Sequence, residues 1–187
     1  MPMLTFAALL AAQMAPAPDP VEQRMVALYD EVCLQAFPID AAVDKAMAAR
    51  GATPLTPAQV KVTLVDDPGR GWSVKDGDEE MLVFLELPPF HACSVRRFMV
   101  AGFADLSAYH AVADPFEKAH SDFTAINPYD ADRGEIHVHA IGERRDLPGG
   151  GEESLFVFDQ HITDPAKRAA GSTRVNMRFV HQIRTSQ

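Results

Sequence analysis

The hexapeptide "EIHVHA" (135–140) places two imidazoles at the repeat of an extended chain. Alternate side chains of a strand share a face, so His137 and His139 project together while Ile136 and Val138 point away. A His-x-His pair on a strand is a usable pair of metal ligands. Two later segments extend it. With Phe156 and Phe158 turned to the core, Asp159 and His161 point to the other side. With Val175, Met177 and Phe179 turned to the core, Arg174, Asn176 and Arg178 do the same. One sheet face then collects His137, His139, Asp159, His161 and Arg178. Three imidazoles and a carboxylate suit zinc or another divalent ion that favours nitrogen, and Asp159 with Arg178 could serve an anion or other polar ligand. The competing reading is structural, because the solvent face of an antiparallel sheet carries such residues without ligation. By the same alternation His181 falls on the core side.

The second stretch with chemical content is "FHACSVRR" (90–97), which holds one of two cysteines. Cys93 could be a ligand beside His91, a nucleophile, or half of a staple. Zinc sites show pairs such as C-x-x-C or H-x-x-x-H, and neither occurs here. A nucleophile needs a partner base that the sequence does not place. Cys33 lies on the apolar stripe of the first helix and Cys93 on a strand; helix stripe and sheet face must meet if there is one core, so the two thiols can come within bonding distance. In an exported protein an even count of two makes a disulfide the default. Such a bond closes a loop of about 60 residues, worth about 4 kcal/mol by the chain-entropy model. Two buried free thiols remain the alternative.

Other catalytic signatures are missing from the sequence. It has no H-E-x-x-H helix, no G-x-S-x-G elbow, no phosphate-binding G-x-x-x-x-G-K-[ST] loop and no G-x-G-x-x-G fingerprint. Gly149 to Gly151 stand between two strands and read as a loop. The carboxylate pairs Asp66-Asp67 and Glu79-Glu80 fall in turns, where solvation is their expected role.

The elements that must position these residues follow from periodicity. Asp19 as N-cap, Pro20 at the first helical position and Glu22 form a strong helix start. Met25, Leu28, Tyr29, Val32, Cys33 and Ala36 then recur at helical spacing. Asp40 can cap a second helix over 41–50, ended by Gly51. "VKVTLV" (60–65) alternates like a strand after a possible helical turn at Thr56. Strands are expected over 71–75 and 81–87, and again after Pro88-Pro89. A helical region over 103–123 is expected to bend at Pro115 into two short helices. "INPYDADRG" reads as a loop, followed by strands over 135–141, 154–161 and 173–183. The whole is α+β: one largely antiparallel sheet of about six strands, two N-terminal helices, a bent helical segment between strands 3 and 4, and helices on one face.

With 187 residues and 47% hydrophobic content, residues 19–187 suffice for one domain with a proper core. The net charge of −9 and a pI near 5.1 argue against a nucleic-acid partner, which requires a basic face. Residues 1–18 carry no charged side chain, and Leu4 to Ala12 is an apolar run. That run is too short for a bilayer span, which takes about 20 residues, but it fits the h-region of a signal peptide. Ala15-Pro16-Ala17 supplies the small residues of a cleavage region. The expected location is therefore periplasmic or secreted, with no transmembrane segment in the mature chain.

Four features together resemble a group of small exported proteins of unknown function from Gram-negative bacteria. They are the signal-like start, a first helix carrying Cys33, the glycine–tryptophan turn at Gly69 to Trp72, and Cys93-Ser94-Val95 on a strand. The resemblance spans roughly the first hundred residues and implies export and a Cys33–Cys93 disulfide. The function expected is a disulfide-stapled binding or interaction module for an envelope ligand or protein, with no cofactor. A cavity lined by Trp72, Phe84 and Phe90, as in cone-shaped helix-and-sheet folds, would fit it. The alternative is a zinc-dependent hydrolase using His137, His139 and His161.

Overall fold

A computed structural model describes residues 19–100, 102–103, 105–171 and 175–185. The expected signal peptide, 1–18, lies outside the described residues. The chain opens with α1 (Pro20–Tyr29), capped by Asp19, whose side chain accepts the Val21 N–H at 2.7 Å. Beyond Tyr29 the helix widens into a π-helical stretch, Asp30–Ala36, which carries Cys33 into the core. Next come α2 (Asp40–Ala49), β1 (Thr53–Pro54), α3 (Pro57–Leu64), β2 (Gly69–Asp76), β3 (Glu79–Glu86) and β4 (Phe90–Met99). After α4 (Ser107–His120) the chain adds β5 (Thr124–Ala125), β6 (Tyr129–Arg133), β7 (Ile136–Asp146) and β8 (Glu152–Ile162). A short α5 (Pro165–Ala169) precedes β9 (Val175–Arg184).

The strands form one antiparallel sheet of nine in the order β1-β2-β3-β4-β9-β8-β7-β5, with β6 also paired to β7. Two meanders, β1–β4 and β5–β9, are thus joined through the β4–β9 ladder. The six expected strands are all present, and the three additional ones are short. β1 closes one edge of the sheet, while β5 and β6 share the outer edge of β7. "YDADR" is therefore a strand and not a loop, held by its pairing from Asp130 opposite His139 to Asp132 opposite His137.

Helix placement also differs from expectation. "VKVTLV" is the body of α3, because Thr56 and Gln59 make a reciprocal capping box ahead of it. This helix packs on the opposite face from α1, with Val60 and Leu64 against Phe84, so helices cover both faces at that end. α4 runs unbroken through Pro115. Asp40 does not cap α2 but begins it, and its carboxylate meets His91 Nε2 at 2.8 Å.

Most of the core lies between the sheet and the layer of α1, the π-helical stretch, α2 and α4. Met81, Val83, Leu85, Val95, Leu155, Val157, Met177 and Phe179 form its sheet side. Tyr29, Tyr109 and Phe179 stack together at its centre, with ring centroids 5.0–5.9 Å apart. Cys33 and Cys93 are both fully buried and joined in a disulfide, Cα to Cα 5.3 Å. Trp72 belongs to this core, Phe84 to the opposite face, and Phe90 is exposed, so the cavity expected between those three does not form. Among the described residues no helix is long and apolar enough to cross a membrane.

Candidate functional site between α4 and strands β7 to β9

Register fixes which of the expected site residues meet. His137 faces His161 across β7 and β8, and His139 faces Asp159. Directly opposed residues share a face, so all four lie together. The face is not the one expected. Phe156 and Phe158 point outward, while Leu155 and Val157 fill the core, and Asp159 and His161 continue that core-side row to its open end. Arg178 pairs with Phe158 and lies on the opposite face, away from the histidines. The five residues therefore divide four to one.

Along the helix side of β7 and β8 the surface changes character in steps. At one end Arg145 pairs with Glu153, which also bonds His181 Nε2 at 2.7 Å, and His181 Nδ1 donates to the Cys33 carbonyl at 2.7 Å. His181 is buried with a hydrogen-bond partner at each ring nitrogen. Burial works against the Glu153 carboxylate, but hydrogen bonds and charge from His181 and Arg145 outweigh it and hold its pKa below the ordinary value. His181 is thus the core histidine that the alternation implied. The middle of the row is apolar at Ile141, Leu155, Val157 and Met177, apart from Glu143 on β7. At the far end stand His139, Asp159, His137 and His161.

The N-terminal half of α4 passes over this far end and leaves a cleft of about 740 Å³. Its floor is Ile141, Val157 and Met177, and its lip is Phe103 and Leu106. Asp105, His110 and Asp114 reach in from the α4 side, and His139 and Asp159 from the sheet. Neither lysine nor arginine lines it among the described residues. His110 Nδ1 lies 3.1 Å from Asp114 Oδ1, one helical turn on. Asp159 Oδ1 is buried and has no hydrogen-bond partner among the described residues. Gly102 crosses so close to that carboxylate that a Cβ there would overlap it.

Farther along the same helix, Glu117 approaches Glu143 of β7. Burial, then the charges on Glu143 and Asp114, push Glu117 up from 4.5 to about 7, with His110 opposing them. Burial likewise raises Glu143. The acidic character of the cleft thus continues along the α4–β7 seam.

A metal would be sought first at the outer end of the row. His137 stands between two carboxylates, Nδ1 2.8 Å from Asp132 and Nε2 3.2 Å from Asp130, and His139 Nδ1 is 3.2 Å from Asp130. The His137 and His161 rings lie 4.8 Å apart. His137 Nδ1 is thereby taken up by a hydrogen bond to Asp132, and Nε2 lies against Asp130. Among the described residues no group of three or more His, Cys, Asp or Glu is arranged to hold a metal ion.

Sequence reasoning did not find Asp105, His110 and Asp114, nor Asp130 and Asp132. A signal existed for most of them. His110, Asp114 and Glu117 recur at helical spacing on one face of α4, and "YDADR" alternates as a strand does. What the spacing does not contain is that the α4 face meets β7. No protein-family model, curated protein or solved structure matches the chain.

Proposed function

We propose that the chain is an exported binding domain whose α4–sheet cleft takes a small organic cation with an apolar body. The observation that carries the reading is the composition of the cleft. Among the described residues, Asp105, Asp114 and Asp159 surround an apolar floor without a basic side chain other than histidine, and Asp159 Oδ1 is buried without a partner. A buried unpaired carboxylate oxygen is costly, and a ligand N–H would satisfy it. Clefts of this size with an apolar floor and a few convergent polar groups suit small molecules. Export is supported by the apolar N-terminal run and its small-residue end, and an oxidising compartment preserves a disulfide such as Cys33–Cys93.

One preparation tests both parts. Protein recovered from the periplasm of an expressing Gram-negative host should have lost roughly its first 15 to 19 residues by intact mass, the span expected of a cleaved signal. Titrated with benzylammonium chloride, it should bind saturably, with amide resonances moving at His139, Val157 and Asp159. Asp159→Asn should weaken that binding by about tenfold, the loss of one charge-assisted hydrogen bond. Full-length cytoplasmic protein would overturn the export reading, and linear, non-saturating shifts would overturn the ligand class. The zinc-hydrolase alternative at His137, His139 and His161 needs a metal to displace Asp130 and Asp132 from those imidazoles. It requires purified protein to retain stoichiometric zinc.

A further inference from the structure

The sheet face turned away from α1 and α4 carries an arrangement that packing alone does not explain. Arg96 of β4 and Arg178 of β9 are direct register partners on that face. Like charges set directly opposite each other destabilise a sheet. Both guanidinium groups are largely withdrawn from solvent, and burial lowers the pKa of each. Arg96, also pressed by the charge of Arg178, falls to about 10 and so stays ionised at neutral pH. Arg50, Arg70, Arg97 and Arg145 each hold a carboxylate. Among the described residues, no carboxylate forms an ion pair with Arg96 or Arg178. Arg96 Nε donates to Ser94 Oγ at 3.1 Å, and Arg178 Nε is buried with no partner among the described residues.

Aromatic rings fix these side chains in place. The Arg178 guanidinium lies 4.0 Å from the centre of the Phe158 ring and that of Arg96 4.9 Å from Phe84. Between them opens a cavity of about 250 Å³, with Phe156 and Leu64 completing its walls and Ser94 and Gln182 its polar lining. Glu86 is the one acid on that lining among the described residues; burial and the nearby charge of Asp67 raise its pKa, Arg96 and Arg178 act against that rise, and it makes no ion-pair contact with either arginine. Two planar cation forks, without an ion-pair contact among the described residues and facing a shared cavity, match the oxygens of a carboxylate or phosphate.

We infer that this cavity is a binding site for a small organic oxyanion, its charged head between Arg96 and Arg178 and its flat apolar part against Phe84, Phe156 and Phe158. The site is independent of the α4 cleft, which lies on the other face. The anion supplies counter-charge at contact distance, which Glu86 does not, so binding offsets the Arg96–Arg178 repulsion with two bidentate contacts.

Titration of the full chain with benzoate, phenyl phosphate and inorganic phosphate, each at matched ionic strength, tests it. Saturable binding is expected for benzoate or phenyl phosphate, with amide shifts centred on Ser94, Arg96, Arg178 and Val180. Benzoate winning assigns a carboxylate head, phenyl phosphate a phosphate ester, and weaker binding of inorganic phosphate shows that the ring contributes. Arg96→Gln/Arg178→Gln together should weaken binding at least about tenfold while leaving the unliganded protein as stable as the parent, because the opposed charges are gone. Lys75→Gln, an exposed charge removed from elsewhere on the sheet, should change neither. Failure of all three probes to saturate at about millimolar concentration, shifts centred elsewhere, or unchanged affinity in the double variant would each overturn the assignment.

Discussion

Glu117 has company that its place on a helix surface does not suggest. Burial, then Glu143 facing it from β7 and Asp114 before it on α4, raise its pKa to about 7 against the opposing influence of His110. The sign of the stability dependence follows from linkage. Between 4.5 and about 7 the unfolded chain has released this proton while the folded chain keeps it. The contribution is therefore complete below about 4.5 and is lost as pH rises through about 7. Glu117→Gln removes the titration but keeps the shape. Its Tm should match that of the parent at about pH 5 and exceed it at about pH 8. Parallel Tm curves for the two proteins across that range would show that Glu117 titrates as a solvated carboxylate. Glu153 behaves in the opposite sense, because His181 and Arg145 supply the donors that Glu117 lacks.

At the scale of elements, strong periodicity was legible and weak edges were not. The Asp19-Pro20 start, the apolar stripe through Cys33, and the six longer strands all follow from local pattern. β1 and β5 are two residues each, too short for any alternation to register, and exist because a neighbouring strand offers free N–H and C=O groups. The face of β8 was misread because both sets of its alternating residues are apolar: Leu155 and Val157 one way, Phe156 and Phe158 the other. Phe156 covers Gly142, where a Cβ would strike its ring, and so finds shelter on the outer side. Pro115 misled in another way. Its missing N–H and ring are expected to break a helix, yet α4 continues to His120 with Tyr109 and Ala113 buried beneath it. Tertiary packing there outweighs a local penalty of about 3 kcal/mol. Pro115→Ala should recover part of that penalty and raise stability by about 1–2 kcal/mol, read from urea denaturation. An unchanged or lower midpoint would mean that restricting the unfolded chain outweighs the helix cost.

The whole molecule is two meanders meeting along one ladder, and the disulfide sits near that seam. β4 pairs with β9 from Phe90 opposite Arg184 to Met99 opposite Val175, and Cys93 stands within this ladder opposite His181. Cys33 enters from the π-helical stretch, linking the helical layer to the strand on which the two halves join. Its carbonyl accepts from His181, so the same point is held by a covalent bond and by a buried hydrogen bond. Removing the bond should therefore weaken the fold without changing it. The sequence separation is 60, for which chain entropy gives about 4 kcal/mol. A Cys33→Ala/Cys93→Ala variant should lose about that amount in urea denaturation while keeping its far-ultraviolet circular dichroism. Both sulfurs are fully buried, so the parent should resist thiol reductants until it unfolds. The α4–sheet cleft is built on β7, β8 and β9 and should retain its ligand affinity in the variant under conditions where it remains folded. A loss below about 1 kcal/mol would place the compensation in the unfolded chain, where contacts between the two ends of the loop would already restrict it. A loss of ordered structure would instead assign the disulfide the positioning role that His181 and Cys33 otherwise share.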